Sequence, residues 1–388
     1  MDLNPTPEQK MLRDAAQKYF RAEYRFDARA KRLASADAAA AGAAHWTRFA
    51  EFGWLGLGLP EAVGGFGGMP ELIAVCEAMG AALSLEPYVA STVLAAQAVA
   101  AAADAGQQLA LLAPLVEGRS RLALACTEAD SGPTLAWVET RARRQGSGWV
   151  LDGRKTGVAG LPQADVAIVS ARLDGRPGER VGLALFALPV GAAGVRIEPY
   201  RRYDGMPGGE LWLEGVQLDA AALLGDPARA LEALEALERA VDLATIATCA
   251  DALGAMTAVL HKTGAYLATR QQFGAPLASF QVLQHRMVDM FAALEASRSM
   301  VVMAALHADA APAERARAAS AAKVAVGERA RFVAQQGVQL HGGVGMTEEL
   351  DIGHYFRRLT LFEKADGGID HHLQRFAQPQ RKELGTPR

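Results

Sequence analysis

Residues 165–218 read DVAIVSARLDGRPGERVGLALFALPVGAAGVRIEPYRRYDGMPGGELWLEGVQL. Four runs stand out in this stretch: DVAIVSA at 165–171, VGLALFALPV at 181–190, GVRIEP at 194–199 and LWLEGVQL at 211–218. Each is apolar or alternating, and Gly, Pro, Asp and Ser turns bound it, as strands divided by turns require. Three similar runs precede them: LALAC at 122–126, WVETRAR at 137–143 and WVLDG at 149–153. The pattern predicts a strand-rich domain over 119–226, a small antiparallel barrel or sandwich.

Outward from this block both flanks follow a helical period. Upstream, Thr6-Pro7-Glu8-Gln9 forms a start signal, with Thr6 as cap, Pro7 at the first helical position and Gln9 closing a capping box. Apolar Met11, Ala15, Tyr19 and Phe20 then recur at helical spacing. The glycine-rich FGWLGLGLPEAVGGFGG at 52–68 interrupts, and helix resumes from about Met69 to Leu112. Downstream, helical spacing returns near Pro227 in a run too long for an ordinary helix outside a bundle. A second long helix is expected from about Phe280 to Ala308 and a third from Ala313 to about Leu340. The third should stop at His341-Gly342-Gly343, where glycine can take the left-handed cap. Arg357 to Phe376 reads as mixed, and the tail from Gln378 as frayed. The expected fold class is α+β, with a helical domain over 1–118, a β domain over 119–226 and a helical bundle over 227–388. It is not the strand–helix alternation of a doubly wound sheet.

Composition narrows the function. The 388 residues are 51% hydrophobic and 21% charged with a net charge of -3, so nothing marks a nucleic-acid or anionic-membrane surface. Cys76, Cys126 and Cys249 are far apart and form no CxxC, which argues against disulfides or structural zinc and fits a cytoplasmic protein. MDLNPTPEQK lacks the basic-then-apolar pattern of a signal peptide. The low-charge stretch around 88–103 reads as a buried or interface helix, not a membrane span. GGFGG at 64–68 has neither the spacing nor the preceding strand of a dinucleotide fingerprint. His371 and His372 are neighbours that point apart on a helix, so they read as surface or interface residues rather than metal ligands.

Three stretches carry chemistry. In Cys126-Thr127-Glu128-Ala129-Asp130-Ser131-Gly132 a strand ends in a polar turn, which can offer a hydroxyl and N–H donors to the edge of a flat ring. In Arg270-Gln271-Gln272-Phe273-Gly274-Ala275-Pro276 an Arg at a helix end can reach a pyrophosphate, and Phe273 can pack on a ring. In Gln339-Leu340-His341-Gly342-Gly343-Val344-Gly345 close glycines let backbone approach a phosphate.

Together these stretches resemble the acyl-CoA dehydrogenase family. RQQFGAPLASFQVLQHRMVDM at 270–290 resembles its RxxFGxPLxxFQxxQxxxADM signature. QLHGGVGMTEE at 339–349 resembles its QxxGGxGxxxE signature, and ACTEADSG at 125–132 its TEPxAGSD turn. The segment at 52–68 matches its early glycine-rich segment. The resemblance implies FAD bound at a subunit interface of a homo- or hetero-oligomer, a tetramer. Thr127 would contact the flavin, Arg270 and Phe273 the partner subunit's cofactor, and Gln339, Gly342 and Gly343 its pyrophosphate and adenosine. It implies α,β-dehydrogenation of an acyl-CoA thioester: a carboxylate removes the α-proton, hydride passes to flavin N5, and an electron-transfer flavoprotein is the usual acceptor.

Counting without gaps from QLHGG puts Asp366 where many members carry the Glu base. The family's other base location, counted back from Arg270, is Ala244, with Asp242 two residues away and facing elsewhere. Glu363 is a distant second candidate. Asp366 is one methylene shorter than Glu, a loss of roughly 1.5 Å of reach where proton transfer tolerates little. Two further departures stand out. Gly157 and Ala159 occupy places where the family often has Trp and Thr, and Ser131-Gly132-Pro133 shortens the Thr127 turn. They resemble a bacterial subgroup that often occurs as one of two unlike subunits and acts on dicarboxylyl- or steroid-type thioesters. Two alternatives follow: a non-catalytic partner subunit, and a nitroalkane-oxidase-like flavoenzyme, because those enzymes use Asp as the base.

Overall fold

The computed structural model describes residues 5–35, 38–226 and 232–383. In chain order the first helices are α1 (Pro7–Glu23), α2 (Phe26–Ala34), α3 (Ala38–Glu51) and α4 (Met69–Ala81). A π-helical segment, Val89–Ala95, runs into α5 (Ala96–Ala102), and α6 (Ala105–Val116) follows. The strands are β1 (Leu122–Ala125), β2 (Arg141–Gln145), β3 (Gly148–Ala159), β4 (Val166–Arg172), β5 (Leu183–Pro189), β6 (Val195–Arg201) and β7 (Pro207–Leu218). Then come α7 (Glu232–Thr269), the two-residue strands β8 (Gln271–Gln272) and β9 (Ala275–Pro276), α8 (Gln281–Leu306), α9 (Pro312–His341), α10 (Ile352–Lys364) and α11 (Ile369–Glu383). Helices, strands and helices thus follow in the expected order. The predicted fraying from Gln378 is overturned as far as Glu383, where α11 continues, and 384–388 lie outside the described residues.

The described chain forms two compact units. One comprises Met1–Ala34, Met69–Ser84 and Thr245–Arg388, the other Ser35–Gly68 and Leu85–Ala244. In the first, the cap of α1 is as read: Gln9 N–H donates to Thr6 Oγ1 at 3.2 Å and Thr6 N–H to Gln9 Oε1 at 3.0 Å. Two glycines set the crossing of α4 and α7. A Cβ on Gly80 would stand 1.8 Å from the Asp251 carbonyl oxygen, and one on Gly254 1.8 Å from that of Glu77. The helices therefore touch backbone to backbone, at a spacing that excludes any side chain. The helix α9 packs against α8, α10 and α11, with Ala319, Ala322, Val326 and Ala330 fully buried.

In the second unit, the expected strand-rich block is one seven-stranded sheet in the order β1-β4-β2-β3-β7-β6, with β5 beside β4. It is mixed rather than purely antiparallel: β1 runs parallel to β4, pairing Leu122 with Val166 through Ala125 with Val169. A parallel pair needs a long crossover, and the chain between β1 and β4 makes it by building β2 and β3. One face is packed by Leu151, Val169, Phe186, Leu211 and Val216. The segment 52–68 folds into tight turns, and a Cβ on Gly65 would lie 2.2 Å from the Leu59 carbonyl oxygen. Gly65 is thus required by close backbone packing. The helix over Ala233–Thr269 is long and apolar enough by composition to cross a membrane, but 78% of its most apolar window is buried within the protein.

Candidate functional site

In the second unit, Thr127 lies exposed just beyond the end of β1, and its carbonyl accepts the Thr156 N–H at 2.9 Å. This bond ties the Thr127 turn to the end of β3. There the strand bulges: Lys155 to Val158 on β3 answer Leu211 to Gly209 on β7. Gly157 takes φ +66°, with nothing within 4 Å of where a Cβ would stand. A bulge residue at positive φ selects glycine, so the missing aromatic at 157 reflects the backbone, and open space remains there. Beyond it, a Cβ on Gly160 would meet Pro87 at 2.7 Å. Ser91 Oγ in the π-helical segment accepts the Leu122 N–H at 2.9 Å. Thr127 thus stands on the surface where the ends of β1 and β3 meet, while the 87–91 segment packs on the start of β1 and on Gly160 after β3.

A buried ion pair lies under that surface. Lys155 Nζ donates to Glu128 Oε1 at 2.7 Å and to Ser170 Oγ at 3.0 Å, with Lys155 fully buried and Glu128 5% exposed. Glu128 also accepts the Glu139 N–H at 2.6 Å and both N–H (3.0 Å) and Oγ–H (2.6 Å) of Thr140. Burial acts to raise the Glu128 carboxyl, but Lys155 and these donors outweigh it and hold it below the usual carboxylate range. The sequence reading missed this pair. Its signal was Lys155 on the same parity as inward-facing Trp149 and Leu151, a position where a cation needs a buried partner.

In the first unit, Arg270 ends α7, and β8 and β9 form a hairpin that presents Phe273 89% exposed at φ +55°. Gln339, Gly342 and Gly343 are exposed where α9 ends. Gly342 takes φ +64° and ψ -145°, a glycine conformation, and nothing lies within 4 Å of a Cβ on either glycine. Tyr266, one turn before Arg270, stacks on His341 at 4.5 Å between ring centroids, which brings the root of the Phe273 hairpin beside the glycine loop. Glu348 steadies the loop, its two oxygens accepting from both terminal nitrogens of Arg357 at 2.7 and 2.9 Å. An open glycine loop beside an exposed Arg and Phe fits the pyrophosphate and ring of a dinucleotide cofactor.

Asp366 is elsewhere. It occupies the turn between α10 and α11, exposed, at φ +56°, followed by Gly367 at φ +85°. The left-handed region tolerates Asp better than most L residues, so the turn itself accounts for an Asp where a Glu is expected. His372 Nε2 meets the Asp366 carbonyl at 3.0 Å, and its Nδ1 meets Ser320 Oγ at 3.1 Å. Lys323 Nζ donates to the Phe362 carbonyl, and its ammonium lies 4.0 Å from the centre of the Phe362 ring. The expectation of His372 as a surface or interface residue is therefore corrected: it is 1% exposed, because the first turn of α11 folds back onto α9. The separation from the glycine loop is large. From Lys323 to Gln339 along α9 is sixteen residues, about 24 Å at 1.5 Å per residue. Arg270, Phe273, Gln339, Gly342 and Gly343 thus cluster at one end of α9, and the Asp366 turn is anchored well up the helix. Glu363, the other carboxylate considered, is buried and paired with Arg331 at 3.3 Å and Lys364 at 3.0 Å. A cavity of about 690 Å³ opens in this unit among Phe20, Tyr24, Phe26, Arg29 and Tyr355, and none of the predicted site residues lines it.

Three family models cover most of the chain: acyl-CoA dehydrogenase N-terminal domain over 6–119, middle domain over 123–218 and C-terminal domain over 234–378. The acyl-CoA dehydrogenase FadE12 of Mycobacterium tuberculosis is 30% identical over 88% of each chain. A variant of the steroid ACAD Tcur3481-Tcur3483 superposes with a TM-score of 0.84 at 30% identity, covering 98% of this chain and 99% of that one. A chain of the ChsE4-ChsE5 complex from Mycobacterium tuberculosis does so with a TM-score of 0.83 at 28% identity over all of both chains.

Proposed function

Because this chain belongs to the acyl-CoA dehydrogenase family of oxidoreductases, we propose that it carries out FAD-dependent α,β-dehydrogenation of an acyl-CoA thioester, with Asp366 removing the α-proton. The observation that carries this reading is the Asp366 turn, where an exposed carboxylate stands on a backbone anchored from beneath by buried side chains. Bound FAD would supply the hydride acceptor, its N5. Thr127 would contact the flavin ring. Arg270, Phe273, Gln339, Gly342 and Gly343 would hold the cofactor of a neighbouring subunit.

The exposed hairpin favours an oligomer, a tetramer of like or unlike subunits. Phe273 is 89% exposed, and Val282, Val288 and Phe291 on α8 are 55–63% exposed, a set of apolar side chains that a second protomer would cover. An electron-transfer flavoprotein would take the electrons, and the free thiols Cys76, Cys126 and Cys249 suit the cytoplasm. A second reading, a non-catalytic subunit of a heteromeric enzyme, draws on Gly157, whose open space stands where the family often has an aromatic.

The test is anaerobic flavin bleaching of the FAD-loaded protein, alone and co-purified with a homologous partner. The panel comprises butyryl-, octanoyl-, palmitoyl-, succinyl- and a steroid-side-chain-CoA. At least one should bleach the flavin, and Asp366→Asn should slow that bleaching by 10² or more with FAD content unchanged. Full-rate bleaching by Asp366→Asn would remove the base assignment, and no bleaching by any thioester would leave the non-catalytic reading.

A further inference from the structure

We propose that Ser320, Lys323 and His372 are positioning residues, a buried clamp on α9 and α11 that holds the backbone of the turn carrying Asp366. The inference rests on the reading of Asp366 as base and adds three residues to it.

The geometry fixes the hydrogen-bond directions. The Asp366 carbonyl can only accept, so His372 Nε2, 3.0 Å away, carries the hydrogen. A neutral ring with its hydrogen on Nε2 has a bare Nδ1, so Ser320 Oγ–H donates to Nδ1 at 3.1 Å. The ring is therefore an oriented link from α9 to the carbonyl of one residue. Burial holds His372 in this neutral form by lowering it to about 3, far below any working pH. Ser320 is fully buried and His372 1% exposed, so water does not compete for either bond.

The second anchor is one turn along α9. Lys323, fully buried, donates to the Phe362 carbonyl near the end of α10 and lies over the Phe362 ring. A cation at a helix C-terminus satisfies an orphan carbonyl and favours the dipole there. Burial pulls the Lys323 ammonium below the ordinary lysine range, and Asp366, Cys249 on α7 and Glu363 on α10 oppose that pull. Of these, Glu363 is already paired with Arg331 and Lys364, and burial pushes the Cys249 thiol up to about 12, so it stays neutral. Around His372 the other charged or titratable groups are His371 and Arg375 on its own helix. Two anchors, at 362 and 366, thus bracket a left-handed turn that would otherwise be free to reorient.

Two readouts on the FAD-loaded enzyme, with any partner it needs, test this. The first, amide hydrogen exchange across 365–369, needs no substrate. His372→Leu should speed it by at least 10-fold and Ser320→Ala by a smaller factor, whereas His372→Gln, whose amide can still donate to the Asp366 carbonyl, should stay near wild type. The second is turnover, kcat and KM separately, with the panel thioester that bleaches the flavin fastest. His372→Leu should lower kcat 10- to 100-fold with KM within 3-fold, and Lys323→Met, which loses the bond to the Phe362 carbonyl, should lower it by a smaller factor that Lys323→Arg restores. Exchange and kcat within 2-fold of wild type in both His372→Leu and Ser320→Ala would overturn the clamp, as would wild-type exchange and kcat in Lys323→Met. Should His372→Leu not fold, the Ser320→Ala exchange rate decides. If Asp366→Asn keeps full activity, the base assignment itself fails, a result distinct from a clamp that fails while Asp366→Asn is inactive.

Discussion

Replacing Lys155 with Met should unfold the β-sheet unit at markedly lower denaturant. Lys155 is fully buried and its ammonium lies 2.7 Å from Glu128, itself 5% exposed. Methionine is near in length but removes the charge, leaving the Glu128 carboxylate with only its Thr140 and Glu139 donors. An uncompensated buried charge of this kind costs about 3–5 kcal/mol, a fall in Tm of roughly 6–20 °C for a unit of this size. The assay is convenient, because Trp46, Trp54, Trp137, Trp149 and Trp212 account for every tryptophan in the chain and all belong to the second unit. Urea unfolding followed by tryptophan emission therefore reports this unit alone. The double variant Glu128→Gln/Lys155→Met removes both charges and leaves a carbonyl to accept from Thr140, so it should recover most of the loss. A single-variant cost under about 1 kcal/mol, or a double variant as unstable as the sum of the singles, would refute the idea that the pair is coupled and desolvated.

Two other outcomes follow from the first unit. Gly254→Ala sets a methyl 1.8 Å from the Glu77 carbonyl oxygen, so α4 and α7 must move apart; a loss of about 3 kcal/mol or more is expected, above ordinary overpacking, and an unchanged circular-dichroism melt would contradict the backbone contact. Acid should weaken the fold through His372, whose folded value of about 3 lies below the unfolded value near 6.5: the unfolded chain gains a proton that the folded one refuses, so this contribution is intact above pH 6.5, falls by about 1.4 kcal/mol per unit below it and is exhausted near pH 3. His372→Gln should remove one proton's worth of that slope in urea midpoints measured from pH 7 to 4, and an unaltered slope would count against the buried neutral ring.

What was legible in the sequence was local. Thr6, Pro7 and Gln9 announce the start of α1 within four residues, and Gly342 announces the end of α9, because caps are settled by neighbours in the chain. The strands of the β unit were visible because alternation and turn residues are also short-range. The parallel pairing of β1 with β4 was not, since nothing in LALAC says which strand it will join. The candidate site divides the same way. Arg270, Phe273, Gln339, Gly342 and Gly343 could be read from motifs and are exposed, the first two at the β8–β9 hairpin and the other three at the end of α9. The supports could not: Glu128 and Lys155 are 27 residues apart, and Ser320 and His372 are 52 apart. His372 looked like half of a surface pair because burial is decided by which helix α11 folds onto.

The turn at Asp366 has a bearing on how this position can drift. Aspartate and glutamate codons differ by a single base, so the exchange is always within one mutation. With φ at +56° the backbone sets its own condition. A residue whose short polar side chain can bond to nearby backbone is at home there, and a longer one bears about 1 kcal/mol or more of strain. Lengthening the acid would thus also ask Gly367 or its anchors to change. On this backbone the short acid and the left-handed turn go together, and a glutamate at 366 is accommodated only with a second change.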